Sequence, residues 1–366
     1  MTRTDGHYID TIKIINNGPE DRLLNLAILS EGYRENELQN FHAYADNFVN
    51  ILSRTAPFNI AWRGINVYRV DVASTDSGAD DPVSTDPQFC QGATGATART
   101  YFDATFCGDG INRRHLVVDS ETALDIANTD VSVVHAILVN VNSPINGGTA
   151  KTIGEIGIGV FSLAPGSEEI GLHELGHLFG LADEYEYFRG CGLDGPDQNH
   201  YTGGEPVQPN VTIELSRITN KWRSLILDTT RMPTTHNDDC SRCDPQPNPV
   251  GGFTVGTFEG AYYHHCEIYR PQFNCRMREL GNPFCFVCQD RILQMLSPRF
   301  ISWVHLGQAS LPNHPMEADF DCSALPYPAK FAVTGDFDGD GQDEIAVAPE
   351  AGRSAGNDFW VMRCNY

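Results

Sequence analysis

Apolar residues recur at steps of three and four through residues 36–53. Leu38, Phe41, Ala45, Phe48 and Leu52 make one stripe, and the spacing predicts an amphipathic helix. Around that helix the period shortens to two. Residues 10–15 and 23–29 read as strands separated by the turn signal Asn17-Gly18-Pro19, and residues 65–72 alternate as a third strand. Strand, strand, helix, strand is the order of an α/β layer. Residues 115–118 are rich in β-formers, and residues 131–140 form a near-continuous apolar run that predicts a central strand. Asn146-Gly147-Gly148 reads as a turn. Residues 156–163 read as a strand at the edge of a cleft, where a peptide can add by backbone pairing. Pro165-Gly166-Ser167 then opens a helix over 168–180, with Ser167 as its N-cap and Glu168 and Glu169 at the positive end of its dipole. Beyond Tyr185 the pattern weakens. Residues 190–260 carry many Gly, Pro, Asn and Asp around a short amphipathic stretch at 214–225, residues 284–296 look helical, and the composition shifts again from about 320.

The helix at 168–180 changes the picture, because it carries His173-Glu174-Leu175-Gly176-His177. On a helix His173 and His177 lie one turn apart on one face, a spacing at which two imidazoles share one tetrahedral zinc. Glu174 stands beside them, placed to act on a metal-associated water as general base. Gly180 falls where the helix must stop, and a glycine there can take positive φ and turn the chain back. That turn brings Asp183 toward the metal as a third ligand, leaving the fourth position open, as catalytic zinc requires. The remaining helix positions (Ile170, Leu172, Leu175, Leu178, Phe179) are apolar, so the helix should be buried, and buried histidines need partners. The stretch is similar to the metzincin zinc motif H-E-x-x-H-x-x-G-x-x-H, with Asp183 in place of the third histidine.

Composition narrows the setting. The 366 residues suggest one large domain or two, and 41% hydrophobic content suffices for a core. A net charge of −23 repels nucleic acid and anionic membranes, so neither is an expected partner. No apolar run is long enough to span a bilayer. The polar start of the chain has no signal-peptide core, yet eleven cysteines speak for an oxidising compartment. The expectation is a secreted or extracytoplasmic protein whose signal is not in this sequence, of unknown oligomeric state. The odd cysteine count leaves at least one thiol free or paired between chains. The pairs Cys240/Cys243 and Cys285/Cys288 have the spacing of a four-thiolate zinc site; disulfides with partners such as Cys266 or Cys275 are the preferred reading.

Two acidic loops raise the question of calcium. Residues 73–110 read as a long irregular loop that Cys90 and Cys107 can tie, and Asp76, Asp80, Asp81 and Asp86 within it are read as solvated loop residues rather than a calcium site. Near the C-terminus, Asp336, Asp338, Asp340, Gln342 and Glu344 alternate with glycines in a pattern that suits Ca²⁺. It is no EF-hand, because Val347 stands at loop position 12 and Ile345-Ala346-Val347-Ala348 reads as a strand. The loop resembles an FG-GAP repeat in a single copy, which cannot close a propeller.

Several stretches together resemble the metallopeptidase family typified by a bacterial immunoglobulin A peptidase. They are Leu29-Ser30-Glu31-Gly32-Tyr33, Asn66-Val67-Tyr68-Arg69-Val70-Asp71, Ser77-Gly78-Ala79-Asp80, the zinc stretch through Leu181-Ala182-Asp183-Glu184-Tyr185, and, downstream, Phe258 to Tyr263, Tyr269-Arg270-Pro271, Asn274 to Arg278 and Phe284 to Gln289. The resemblance covers roughly residues 10–305. It implies a metzincin-like zinc endopeptidase of α/β (α+β) class, a twisted mixed sheet with an active-site helix. In that reading residues 1–310 form the catalytic domain and 320–366 a short calcium-binding β segment. His173, His177 and Asp183 are the implied ligands and Glu174 the base. Met277 is the implied Met-turn, an apolar floor beneath the metal; Met232 is closer in sequence but its surroundings match less well. Some metzincins place a tyrosine two residues after that methionine to stabilise the oxyanion. Here Glu279 stands there, so the role is open to Tyr269, Arg278 or Tyr185. The expected substrate is a protein or peptide. A non-catalytic, calcium-stabilised surface or matrix-binding protein with a vestigial metal site is the alternative, and an amidase acting on a non-protein amide is a third.

Overall fold

A computed structural model of the chain describes residues 5–188, 190–191, 199–306, 331–335, 344–348 and 359–364. Its main body is a six-stranded sheet in the order β1-β3-β2-β4-β6-β5. The strands are β1 (Gly6–Ile15), β2 (Leu24–Glu31), β3 (Ile65–Ser74), β4 (Ala136–Val141), β5 (Gly148–Ile153) and β6 (Ile156–Ser162). The four inner strands run parallel, and β1 and β5 close the two edges antiparallel. The class is therefore mixed α/β. Apolar residues of β2 and β4 serve both faces. Leu24, Leu26, Ile28 and Leu138 pack under the helices, whereas Ala27, Leu29, Ile137 and Val139 pack under the long loop on the other side. Burial on both faces explains why these strands carry unbroken apolar runs.

One face is covered by α1 (Leu38–Leu52) and α3 (Ser167–Leu178). The predicted stripe of α1 is buried throughout. The other face holds α2 (Ser120–Ala127) and the 73–118 loop, tied by a Cys90–Cys107 disulfide. The loop's acidic residues are engaged internally. Asp81 pairs with Arg113 at 2.7 Å, Asp76 pairs with Arg99 at 2.8 Å, and Asp80 accepts from the Ala98 amide.

Four readings of the pattern need correction. The strand at 156–163 is not an edge: β6 lies between β4 and β5, and the free edge belongs to β5, whose polar residues Thr149, Lys151 and Thr152 hid it behind the Asn146-Gly147-Gly148 turn. Residues 131–135 are not strand. Val131 and Val134 are buried from an irregular approach, clamped where Asn25 donates to the Val133 carbonyl. The N-cap of α3 is Gly166, at φ +80°, and Ser167 instead hydrogen bonds through its hydroxyl to Tyr44. Residues 214–225 hold only a single 3-10 turn, Arg223–Leu225, near the buried Trp222.

Past a hairpin of β7 (Phe258–Ala261) and β8 (His264–Arg270) come α4 (Phe286–Phe300) and β9 (Ile301–Leu306). β9 joins β10 (Phe331–Gly335), β11 (Glu344–Ala348) and β12 (Phe359–Cys364) in a second sheet of order β10-β11-β12-β9. The strand expected at 345–348 is β11. Of the calcium candidates, Asp336, Asp338, Asp340 and Gln342 lie outside the described residues, and Glu344 is the first residue of β11.

Glu31, at the end of β2, is fully buried and accepts the amides of Phe102 and Ala104, each at 3.0 Å. Burial pushes its carboxyl up to about 7 from an ordinary 4.5, against hydrogen bonds that favour the charged form. The folded chain thus keeps this proton to higher pH than the unfolded chain. The resulting stability is complete below about pH 4.5 and is lost as the pH rises through 7, a change of about 3 kcal/mol. Glu31→Gln is expected to remove that slope, whatever it does to absolute stability. Urea midpoints of both proteins at pH 5 and pH 8 measure it; identical pH dependence in the two contradicts the assignment.

Candidate metal centre

The site grows from the end of α3. The helix stops at Phe179, and Gly180 takes φ +78°, a conformation disfavoured for residues with a Cβ. The Gly180 amide bonds the His177 carbonyl at 2.8 Å, and the chain doubles back so that Asp183 faces the helix it has left. Asp183 Oδ1 lies 3.0 Å from His173 Nε2 and 3.4 Å from His177 Nε2. The imidazole Nδ1 atoms point the other way, to the carbonyls of Arg276 (3.0 Å) and Leu181 (2.9 Å). A carbonyl only accepts, so each Nδ1 carries a proton, and each Nε2 faces Asp183 Oδ1 across the point where a cation could replace the proton between them.

Ligand atoms about 2.0–2.1 Å from a tetrahedral zinc lie roughly 3.3 Å apart. The three side chains, with their ligand atoms all within 4.8 Å of one another, fit such an ion. Glu174 is buried beside them, and its Oε2 has no hydrogen-bond partner, an orphaned acceptor of the kind a reacting water satisfies. Burial raises the Glu174 carboxyl. Burial opposes charge on the histidines too, but the Asp183 carboxylate outweighs it and holds His177 up to about 10. Burial likewise opposes ionisation of Asp183, but the adjacent imidazoles bring it well below the usual carboxylate range. The pocket is thus built for a negative oxygen balanced by positive charge.

Met277 lies beneath the helix, wholly buried. A Cβ at Gly176 would stand 2.5 Å from its sulfur and 3.0 Å from the Phe284 ring, so only glycine permits this approach. Met277 thus packs directly under the helix that carries the two histidines, whereas Met232 is only partly buried against the core. Above the site runs a cleft of about 580 Å³, walled by the edge strand β5 (Gly148 to Thr152), Arg114, Tyr185, Tyr263 and Arg278.

The oxyanion candidates separate here. Tyr269 is buried against Glu259 and does not line the cleft. Arg278 lines it, but its guanidinium is committed to Glu186 at 2.8 Å and to Asn274 at 2.7 Å. Tyr185 stacks on the His173 ring at 14° and 6.4 Å between centroids. Tyr263, not among those candidates, also lines the cleft, and its hydroxyl donates to Asp183 Oδ2. Its only signal was its place in the Phe258–Tyr263 stretch. The hairpin that turns it inward, with φ +67° at Tyr263 itself, is not visible in residue spacing.

The cysteines follow the disulfide reading in part. Cys191–Cys243 and Cys240–Cys266 are bonded, so Cys240 and Cys243 are not free to join Cys285 and Cys288 around one ion. Cys275, Cys285 and Cys288 remain buried thiols.

A paired-histidine helix bent back onto a carboxylate under an open cleft is an arrangement that suits a metallopeptidase. The chain belongs to the IgA peptidase M64 family, whose model matches residues 12–245 and 248–296. No curated protein matches it. Membership brings protein substrates and a metal cofactor, and the disulfides accord with an extracellular protein. Among the described residues no helix is long and apolar enough to cross a membrane.

Proposed function

We propose that the chain is a secreted, zinc-dependent endopeptidase, with His173, His177 and Asp183 as metal ligands and Glu174 as general base. The observation that carries this reading is the meeting of two Nε2 atoms and one carboxylate oxygen beside a buried carboxylate oxygen with no partner. Two imidazoles and one carboxylate with room for a further ligand are a catalytic zinc set. Zinc bound there supplies Lewis-acid polarisation of the scissile carbonyl and a more acidic water.

The rest falls to the protein. Glu174 takes the proton of the attacking water on its free oxygen and later passes it to the leaving amine. Its burial raises its proton affinity, which suits a base that must become an acid within one turnover. β5 has a sheet neighbour on one side only, so an extended substrate can pair with its open edge and pass along the cleft. A cleft open along an edge strand suits internal cleavage of a chain. The calcium reading of residues 336–344 stands on the sequence alone. Digestion of casein tests the function: cleavage that a zinc chelator stops supports it, and an intact, zinc-loaded chain that leaves casein and a peptide library uncut overturns it.

Tyr263 acts through Asp183 rather than on substrate. By holding Oδ2 it keeps Oδ1 turned to the histidines, and supports of this kind are worth about 10–100-fold in metal affinity. Tyr263→Phe is expected to weaken zinc retention by that factor in a chelator competition, with the affected activity restored by excess zinc. Unchanged zinc affinity removes this role.

A further inference from the structure

A second cluster of ligand-type side chains lies next to the first in the chain. Glu184 follows Asp183 directly, Cys275 precedes Met277 by two residues, Cys285 immediately precedes α4, and Cys288 lies in its first turn. All four are buried, Glu184, Cys275 and Cys288 completely. Cys275 Sγ is 3.7 Å from Cys288 Sγ. Glu184 Oε1 is 3.3 Å from Cys288 Sγ and 3.8 Å from Cys285 Sγ. All four ligand atoms lie within 4.8 Å of one another. Thiolates about 2.3 Å from a tetrahedral zinc stand roughly 3.7–3.8 Å apart, so the edges seen here are those of an S3O tetrahedron.

Three further observations point to a cation. Glu184 Oε1 accepts from Asn210 at 2.8 Å, but its Oε2 is buried without a partner. Such a carboxylate is costly unless a positive charge faces it. Backbone amides are aimed at sulfur: Cys285 and Met277 donate to Cys275 Sγ (3.2 and 3.5 Å), and Cys288 donates to Cys285 Sγ (3.4 Å), contacts that favour thiolate. Six other cysteines are oxidised in pairs, whereas these three, close enough to exchange, are thiols. Among themselves these three cannot all be consumed by disulfides, but a metal employs them all.

We propose that Glu184, Cys275, Cys285 and Cys288 form a second, structural metal site that takes zinc. Four protein ligands close the coordination shell and leave no position for substrate, as in structural rather than catalytic sites. The ion joins three pieces of chain that the cleft depends on: the segment bearing Asp183, the turn bearing Met277, and α4. The Glu184 amide already donates to the Met277 carbonyl at 2.7 Å, so the two segments meet at this point. The site does not depend on the peptidase reading, since no part of it touches the cleft.

The test is metal analysis and zinc X-ray absorption on the full chain, purified without chelator or added metal. The expected result is two zinc per wild-type chain, with sulfur in the first shell at about 2.3 Å. In His173→Ala/His177→Ala the expected result is one zinc with a sulfur-dominated shell. Should that variant fail to fold, the wild-type spectrum decides. A wild-type zinc shell of nitrogen and oxygen alone overturns the proposal. So does a disulfide among Cys275, Cys285 and Cys288 in a non-reducing peptide map of the untreated chain. Neither readout uses proteolysis, so loss of activity alone leaves this result intact, and the casein test is equally indifferent to it.

Discussion

Glu174→Gln is expected to lower kcat for peptide hydrolysis by about 10²–10⁴-fold, or roughly 3–5 kcal/mol of barrier, with KM nearly unchanged. Glutamine keeps the shape and burial of the side chain, so the fold and the ligand set should survive. What it loses is the proton-accepting oxygen. The wild-type Oε2 has no partner to compensate for that loss, and Glu174 is the residue next to His173 on the same helix, whereas Asp183 is already turned to both histidines. A change confined to kcat marks an interaction made in the transition state rather than in substrate binding. Kinetics on one quenched peptide, with zinc measured in the same samples, separates the outcomes. A zinc-replete Glu174→Gln variant within a few-fold of wild type would exclude Glu174 as the base.

Asp183→Ala is expected to abolish tight metal binding at the first site and activity with it. In the proposed site the carboxylate is the third ligand, and it is also the charge that faces both imidazoles. Its removal leaves the buried His173 and the partly buried His177 without their opposite charge and takes away the acceptor of the Tyr263 hydroxyl. Breaking a buried ionic cluster by deleting one member costs about 3–5 kcal/mol, so the metal-free variant should also unfold earlier than metal-free wild type. Zinc content and a denaturant melt in excess chelator report the two effects separately. Wild-type zinc affinity in this variant would mean that Asp183 is no ligand.

Much of this site was legible before any fold was known, because its parts are close in sequence. The two histidines need only a helical period to face one way, and Gly180 marks a turn that only a glycine makes easily. β2, β3, β4 and α1 showed themselves for a similar reason: one-sided or two-sided burial imposes a period on a single stretch. Features set by distant pairing stayed hidden. The edge strand β5 carries polar residues because one of its sides meets solvent and cleft, so its pattern reads as loop. α2 spans only eight residues, too short for an apolar stripe to stand out, although Asp119 caps it by accepting the Thr122 amide. Tyr263 reaches Asp183 across 80 positions. Among the cysteines, spacing suggested that Cys240/Cys243 and Cys285/Cys288 were equivalent pairs. Tertiary contacts part them, sending the first pair to disulfides with Cys266 and Cys191 and leaving the second with Cys275 and Glu184.

Anomalous diffraction at the zinc edge, from crystals of the full chain grown without chelator, bears most directly on the whole account. A peak is expected where His173 Nε2, His177 Nε2 and Asp183 Oδ1 meet, with nitrogen ligands about 2.0–2.1 Å away and a solvent position facing Glu174. Zinc-supplemented crystals that show these three side chains ordered and no peak between them would contradict it.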